Sequence, residues 1–236
     1  MIRGHFLDTV WVVDDAAGDR LEYERTLLAR GEIVVGIDEV GRGALAGPML
    51  VGAVVVGDVR PPPVGLRDSK RLTSAQRVAL VAPIEAWALG WSLGSANARE
   101  IDEWGLRLAL AVAATRALEG LRVVPTHALV DGPFNLLRAR GDVALDASPP
   151  PPLRFDRLPV TTLVRGDDRS ASIAAAAVLA KVRRDALMVD LDREAPGYQW
   201  ARNKGYGAPA HLEEIRRSGV TAHHRRSWKL PEMRGE

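Results

Sequence analysis

One stretch decides the fold of this chain: residues 33–43, with the sequence IVVGIDEVGRG. Its first five residues are apolar and mostly β-branched, which predicts a short strand buried on both faces. Two adjacent carboxylates, Asp38 and Glu39, stand where that strand ends. Like charges about 4 Å apart repel by roughly 4 kcal/mol at an effective dielectric of 20, so these acids indicate a cation at the strand end. Loop acids that face solvent are the alternative.

The turn after these acids, Gly41-Arg42-Gly43, is suited to contact a ligand. A glycine on each side of Arg42 lets the backbone approach closely, and the guanidinium offers a planar fork for phosphate or a sugar edge. The next apolar run, Met49–Val56, follows after a connection short enough to predict an antiparallel hairpin.

Composition is that of a globular protein with a sizeable core: 236 residues, 47% hydrophobic and 26% charged, which predicts one domain with at most a small appendage. Cysteine is absent, which excludes disulfides and thiolate metal sites and favours a reducing, cytoplasmic setting. No apolar run reaches the roughly 18 residues of a membrane span. Asp8, Asp14 and Asp15 interrupt the first apolar residues, so we expect neither a signal peptide nor a membrane partner.

Charge is uneven along the chain. The formal net charge is only +2, yet residues 201–230 carry seven Lys/Arg against two Glu, a local balance of +5. Three of the five histidines lie in the same region. A basic C-terminal region on a near-neutral body favours a polyanion partner. A solvated basic tail is the alternative.

The predicted elements alternate between strands and helices. We predict strands at 33–37, 49–56, 90–95, 127–130 and 160–164, and helices at 21–30, 73–89, 97–118, 172–194 and 209–217. This order predicts an α/β sheet, whose sites form at strand ends. Residues 1–20 show no period and are expected to be an extension, and residues 141–159 are expected to be a long proline-rich insertion loop.

Carboxylates end three of these segments: Asp38 with Glu39, then Asp131, then Asp167. If they converge, some must stay protonated unless a hard divalent cation such as Mg²⁺ is bound. A pair of such ions activates a water and stabilises a leaving oxygen. The convergence is a hypothesis, because spacing alone does not establish it.

Competing chemistries lack their motifs. The sequence contains no Gly-x-x-x-x-Gly-Lys-[Ser/Thr] loop, no Gly-x-Ser-x-Gly elbow and no His-Glu-x-x-His helix. His223 and His224 are either metal ligands or, as is commoner in a basic segment, surface residues and phosphate contacts.

Taken together, these stretches resemble bacterial ribonuclease HII. The matching segments, in the family's order, are GIDEVGRG at 36–43, AGP at 46–48, RDSK at 67–70, EID at 100–102, VDG at 130–132, GD at 166–167, SIAAA at 172–176, AKVRRD at 180–185, NKGYG at 203–207, His211 and HRRS at 224–227. Any one of them is weak, but the ordered set is specific and spans most of the chain.

The resemblance implies a ribonuclease H-like fold, a mixed central sheet flanked by helices with a small helical C-terminal part. It implies three regions: an N-terminal extension with a lead-in helix (1–30), a catalytic domain (31–195) and a basic substrate-binding segment (196–236). The activity it implies is endonucleolytic cleavage of the RNA strand in RNA–DNA hybrids, and cutting 5′ to single ribonucleotides in duplex DNA. The products would carry 5′-phosphate and 3′-hydroxyl ends, and the protein would act as a monomer.

The resemblance also assigns an acidic quartet, both catalytic and metal-binding: Asp38, Glu39, Asp131 and Asp167. These would hold two ions of Mg²⁺ or Mn²⁺ for in-line attack. The ion near Asp38 and Asp167 would activate water, and the ion near Asp38, Glu39 and Asp131 would stabilise the departing 3′-oxygen.

Substrate contacts follow in the same way. Gly41, Arg42 and Gly43 match the turn that recognises the 2′-hydroxyl and neighbouring phosphate, a group that distinguishes RNA from DNA. Tyr206 matches the tyrosine that stacks on the sugar of the following deoxynucleotide. The remaining matches are phosphate contacts, with a buried ion pair as the alternative for the second: Lys70, Lys181, Lys204 and Arg226.

Three features depart from the family pattern. Ala177 replaces a usual serine, Gly105 replaces a usual asparagine and should loosen its helix, and the 141–159 loop is longer than usual. Two rival functions stay open: a nucleic-acid-binding protein without activity, and a metal nuclease that cuts DNA. The intact quartet argues against the first, and the Gly-Arg-Gly turn with Tyr206 argues against the second.

Overall fold

The computed structural model describes residues 4–7, 10–13, 20–139 and 147–232. Its strands form one mixed sheet: β1 (Gly4–Leu7), β2 (Val10–Val13), β3 (Val34–Val40), β4 (Met49–Val56), β5 (Gly90–Ala96), β6 (His127–Asp131) and β7 (Val160–Leu163). Their order across the sheet is β1-β2-β7-β6-β3-β4-β5. Strands β2, β7, β6 and β3 run parallel, while β1, β4 and β5 are antiparallel to their neighbours.

Helices flank this sheet. They are α1 (Glu22–Leu28), α2 (Ser74–Trp87), α3 (Ala98–Glu119), α4 (Gly166–Arg169), α5 (Ala171–Glu194), α6 (Trp200–Asn203) and α7 (Pro209–Ser218). Thr73 and Asn97 form capping boxes at the start of α2 and of α3, respectively.

The alanine-rich start of α5 packs directly on the sheet. A Cβ added at Gly36 of β3 would lie 2.3 Å from the carbonyl carbon of Ser172, and one added at Gly52 of β4 would lie 2.4 Å from the oxygen of Ala176. Glycine in the strand and alanine in the helix therefore allow a backbone-to-backbone approach that larger side chains would prevent. This contact fixes the first turns of α5 against β3 and β4.

Gly105 breaks α3 as expected. Its φ of 75° and ψ of 156° are not helical, and this φ favours glycine. Glu100 and Arg116 would be about 24 Å apart along a straight helix, yet their side chains form an ion pair at 2.7 Å. The break therefore folds the first turns of α3 back alongside the rest.

The C-terminal elements pack on the loop between β3 and β4. Gly205 accepts hydrogen bonds from the amides of Leu45 and Ala46, and Arg225 donates its own amide to Leu45. An isolated bridge pairs Ala46 with His224. The basic C-terminal region is thus held against the Gly-Arg-Gly loop by main-chain hydrogen bonds.

The α/β class, the antiparallel hairpin and every predicted strand and helix are confirmed. Strands β1 and β2 were not predicted, because residues 1–20 show no period in the sequence.

Residues 141–146 of the predicted insertion loop lie outside the described residues. The remainder, 147–159, has no helix or strand but is anchored on α3, where Trp104 Nε1 donates to the oxygen of Ser148 (2.8 Å). In the part of the chain described, no helix has the length and apolar character to cross a bilayer. The three-region division stays a prediction.

Candidate active site

The four predicted acids come from three neighbouring parallel strands. Asp38 and Glu39 lie near the carboxyl end of β3, Asp131 ends β6, and Asp167 follows β7 in α4. Strands β3, β6 and β7 are adjacent and parallel, so their carboxyl ends meet at one edge of the sheet. The amide of Gly166 donates to Asp131 Oδ1 at 2.6 Å, which ties the β7 end to the β6 end.

Asp38 is the most crowded of these acids. It is 7% exposed, and its Oδ1 accepts the amide of Glu39 at 2.7 Å. Burial, and then the charges of Asp131, Glu39 and Asp167, raise the pKa of Asp38 well above its usual range. Burial also raises the pKa of Glu39, against the opposing effect of Arg42 at 3.4 Å. The acids are therefore close enough for their negative charges to repel one another, as the predicted convergence requires.

Asp167 brings a fifth carboxylate into the group. Burial, followed by the charge of Asp131, raises the pKa of Asp167 to about 6, and a hydrogen bond with the Asp68 side chain adds to the shift. Lys70 opposes it, since its Nζ lies 3.2 Å from Asp167 Oδ2. Asp68 in turn accepts the amide of Lys70 at 2.8 Å. Asp68 and Lys70 thus border the site next to Asp167.

The donor set fits a hard divalent cation. It consists of carboxylate oxygens only, and the raised pKa values of Asp38 and Asp167 report negative charge without sufficient compensation. As the side chains stand, no group of three or more acids and histidines among the described residues is close enough to complete a metal site. A cation would therefore draw in carboxylates that at present repel one another.

The Gly-Arg-Gly loop is held from beneath by a buried arginine. Arg225 is fully buried. Its guanidinium donates to the oxygens of Gly41 (2.6 Å), Arg42 (2.7 Å) and Gly47 (3.1 Å). Burial lowers the pKa of Arg225 to about 10, and the neighbouring charge of Arg184 contributes. Only a planar multi-donor group spans three carbonyls in this way.

This clamp fixes the direction of the loop amides. In a trans peptide the C=O and the following N–H point to opposite sides. Because the oxygens of Gly41 and Arg42 point toward Arg225, the amides of Arg42 and Gly43 point away from it. Neither amide donates to any residue in the described part of the chain, and a Cβ at Gly43 would meet nothing within 4 Å. Two adjacent donors are thus presented at the surface beside the Arg42 side chain, which is 53% exposed.

A second buried arginine joins this loop to the predicted stacking tyrosine. Arg184 donates to the oxygens of Pro48 (2.9 Å) and Lys204 (2.9 Å). Its guanidinium carbon lies 5.5 Å from the centroid of the Tyr206 ring. Tyr206 itself is 37% exposed. The Gly-Arg-Gly loop and Tyr206 therefore belong to one rigid surface.

Two buried histidines support Tyr206 from behind. The amide of Thr221 donates to His224 Nδ1 (3.0 Å), so the proton of His224 is on Nε2. That atom lies 3.1 Å from His211 Nε2, which also accepts from Trp200 Nε1 (3.1 Å). His211 Nδ1 then donates to the oxygen of Tyr206 (2.8 Å). Burial lowers the pKa of His224 to about 4, so the pair is neutral. Neither a metal site nor a surface position is correct for His224, because its ring nitrogens are already satisfied in the core.

The predicted phosphate contacts fall into two groups. Lys70 and Arg226 have exposed side chains, and Arg226 is positioned by Asp102, which accepts its amide at 2.9 Å. Lys181 instead forms an ion pair with Asp185 at 2.6 Å, the alternative left open by the sequence. The ammonium of Lys204 donates to the oxygen of Ala201 in α6.

Sequence reasoning named the motifs but missed several residues within them. Asp68, Arg184 and Arg225 lie in matched segments, yet a sequence does not reveal which of two adjacent arginines turns inward. Ala177, which replaces a serine, is 3% exposed in α5. The usual hydroxyl is thus absent from a buried position.

Known proteins are similar to this chain in sequence and in fold. Residues 35–231 match the family described as Ribonuclease HII. A ribonuclease HII of Geobacillus thermodenitrificans is 46% identical over 209 residues, which cover 88% of this chain and 73% of that protein. The fold is similar to ribonuclease H2 from Pyrococcus horikoshii, with a TM-score of 0.63, 26% identity and 83% and 93% of the two chains covered. It is also similar in fold to Bst-RNase HIII in complex with Mn²⁺, with a TM-score of 0.58, 19% identity and coverage of 89% and 70%.

Proposed function

The chain belongs to the ribonuclease HII family, a family of metal-dependent ribonucleases H that cut the RNA strand of RNA–DNA hybrids, and on that premise we propose that it also cuts 5′ to single ribonucleotides embedded in duplex DNA. The observation that carries this proposal is the position of the clamped Gly-Arg-Gly loop. The side chain of Arg42 in this loop lies next to Glu39, whose Oε1 is 3.4 Å from Arg42 Nη1. A sensor for one 2′-hydroxyl is therefore directly beside the acids that cut.

The acids are proposed to hold Mg²⁺ or Mn²⁺, two ions per site. Asp38, Glu39, Asp131 and Asp167 would be the ligands, and Mn²⁺ is the ion named for the related HIII structure. When bound, two such ions supply an activated water and stabilise the leaving 3′-oxygen, which gives 5′-phosphate and 3′-hydroxyl ends.

The protein side chains position the substrate. The amides of Arg42 and Gly43 are proposed to bind the ribonucleotide, and Tyr206 to pack on the sugar of the deoxynucleotide that follows it. Lys70 and Arg226 are proposed as phosphate contacts that orient the duplex without reading bases. Lys181 and Lys204 are expected to contribute less, because their side chains are only partly exposed and each ammonium has a partner in the protein. The side chain of Lys70, although it is paired with Asp167, is 77% exposed.

The setting of the reaction is proposed to be the cytoplasm, where a cysteine-free chain needs no oxidising compartment. We propose that the protein acts as a monomer, since the acids and both sensor elements come from one chain.

The test is cleavage of a labelled DNA duplex that contains one ribonucleotide, with Mg²⁺ or Mn²⁺. An RNA–DNA hybrid and an all-DNA duplex run in parallel, and Asp38→Asn and Asp131→Asn are the inactive controls. We expect a single cut 5′ to the ribonucleotide and none in the all-DNA duplex.

Two other outcomes favour the rival functions. Binding without a cut in either metal would support a nucleic-acid-binding protein. Equal cutting of the all-DNA duplex would leave the metal site in place and remove the 2′-hydroxyl sensor. Cutting of the hybrid but not at the single ribonucleotide would restrict the protein to cleavage of the RNA strand of RNA–DNA hybrids.

A further inference from the structure

A groove of about 480 Å³ opens beside the acids on the side of β6 and α3. Its charged and aromatic lining comes from Glu39, Arg42, Arg107, Asp131, Phe134 and Arg138. We call it the Phe134 groove. It shares Glu39 and Asp131 with the site already described, so whatever lies in it is next to the phosphate that is cut.

Phe134 is the unusual member of this lining. Its ring is 61% exposed although it lies three residues after Asp131. The chain turns at Gly132, whose φ is 88°. Asn135 Oδ1 accepts the amide of Leu137 at 2.9 Å, and Leu136 and Leu137 are buried in the core below. The exposed ring is therefore held on a fixed turn.

Arg107 accompanies this ring. Its guanidinium carbon lies 5.8 Å from the centroid of Phe134. Across the residues that the structure describes, Arg107 has no carboxylate within ion-pair distance. Arg42 and the apolar residues Leu110 and Leu136 also line the groove. An aromatic ring beside positively charged side chains is typical of surfaces that bind nucleic acid.

We propose that the Phe134 groove holds a nucleotide adjoining the cleaved phosphate, with the Phe134 ring against its sugar and Arg107 on its phosphate. This rests on the proposed function, and adds to it a contact outside the Gly-Arg-Gly loop and Tyr206. The sugar is the partner because bases in a duplex are stacked on one another. A volume of about 480 Å³ is within the range of sites that bury one small ligand.

The occupant is part of the substrate duplex and not a separate small molecule or protein. Three arginines meet a polyanion by charge complementarity, and the groove is continuous with the acids. Because sugar and phosphate carry no sequence information, the contact is expected to strengthen binding equally for all sequences.

The experiment compares Phe134→Ala, Phe134→Leu and Arg107→Gln with the wild-type protein. The matched controls are Val124→Ala and Arg122→Gln, an exposed apolar residue and an exposed arginine just before β6, at the opposite edge of the sheet. Cleavage of the single-ribonucleotide duplex gives kcat and KM. Binding of the same duplex by each variant in an Asp38→Asn background gives Kd as a function of salt.

We expect Phe134→Ala to raise KM about three- to tenfold with kcat within about twofold, and Phe134→Leu to fall between it and the wild type. Arg107→Gln should reduce the slope of log Kd against log salt by about 1. Both controls should match the wild type. Thermal unfolding monitors the fold, which an exposed phenyl should not affect.

A wild-type KM in both Phe134 variants, together with a wild-type salt slope in Arg107→Gln, would overturn the proposal. A fall in kcat at unchanged KM in the Phe134 variants would also overturn it, since Phe134 would then act on Asp131 and not on substrate. Failure of the wild-type protein to cut would instead refute the proposed function. The binding series in the Asp38→Asn background still tests the groove in that case.

Discussion

Arg225 shows how one buried side chain determines the geometry of the proposed substrate sensor. Its partners are carbonyl oxygens of the loop that it supports, at 2.6 Å for Gly41 and 2.7 Å for Arg42. Its interactions with this loop include no carboxylate, so its effect is to orient peptides and not to neutralise charge. The neighbouring Arg226 has the same sequence context and is exposed. The sequence contains two adjacent arginines at 225–226, but only tertiary packing determines which of the two is buried.

We expect Arg225→Lys to impair recognition of the ribonucleotide, although lysine keeps the positive charge. One ammonium cannot span the oxygens of Gly41, Arg42 and Gly47, and each buried acceptor left without a donor costs about 1–3 kcal/mol. The amides of Arg42 and Gly43 would then lose their fixed direction. The expected result is at least a tenfold fall in kcat/KM for the single-ribonucleotide duplex, measured by steady-state cleavage.

The control for this prediction is Arg226→Lys, which keeps the charge at an exposed position and should stay within about twofold of the wild type. If Arg225→Lys keeps wild-type activity as Arg226→Lys is expected to, the two arginines act only through their charge, and the clamp has no role in recognition.

At the scale of elements, the fit between β3 and α5 is the contact most sensitive to size. Gly36→Ala would place a Cβ 2.3 Å from the Ser172 carbonyl carbon and 2.5 Å from the Ile173 amide. Both atoms are backbone, so the helix itself must shift. We expect a loss of about 1–3 kcal/mol in the free energy of unfolding, measured by urea denaturation. Gly90→Ala in β5 is the control, because nothing lies within 4 Å of its added Cβ; an equal loss there would point to strand propensity instead of overpacking.

The alternation of strands and helices was predictable because hydrophobic period and caps are local signals. The capping boxes at Thr73 and Asn97 are read directly from spacing. The meeting of the acids was predictable only as a hypothesis, since it depends on strand order. The pairing of His211 with His224 was not predictable, because it joins α7 to a loop 13 residues later and leaves no mark in either segment.

That histidine pair makes the C-terminal region sensitive to acid. The folded pKa of His224 is about 4, below the ordinary value of about 6.5. Its stabilising contribution is therefore present above pH 6.5 and is lost as pH falls toward 4. A proton on Nδ1 would face the Thr221 amide, placing one donor against another.

We expect His224→Gln to remove this acid sensitivity while costing about 1 kcal/mol at neutral pH for the lost Thr221 contact. Hydrogen exchange of the segment around Tyr206, followed from pH 7 to pH 4, measures it. His223→Gln is the control, since His223 is 36% exposed and contacts Glu194 at the surface. Identical pH profiles for the wild type and His224→Gln would contradict the assignment.

At the scale of the whole molecule, the acids proposed to serve catalysis oppose folding when no metal is bound. Burial and neighbouring charge raise the pKa of Asp167 to about 6, compared with an unfolded value near 3.9. A carboxyl with a raised folded pKa contributes stability below its unfolded pKa, and this is lost as pH rises through the folded pKa. Asp167 thus lowers stability as pH rises from about 4 to 6, and His224 raises stability over the same range. The pH profile of the wild type alone therefore does not separate the two effects.

The comparison of the wild type with Asp167→Asn does separate them, because both proteins keep His224. In EDTA, we expect Asp167→Asn to match the wild type near pH 4 and to become more stable by on the order of 2 kcal/mol above pH 6. The exposed Lys70 partner offsets little of this, since surface ion pairs are weak. Excess Mg²⁺ should stabilise the wild type and reverse the difference, because Asn lacks the charge that the cation binds.

Urea denaturation of both proteins across pH, with and without Mg²⁺, gives all four stability curves. A difference that is flat with pH would mean that the acids are not crowded in solution, and a difference unchanged by Mg²⁺ would mean that Asp167 is not a ligand.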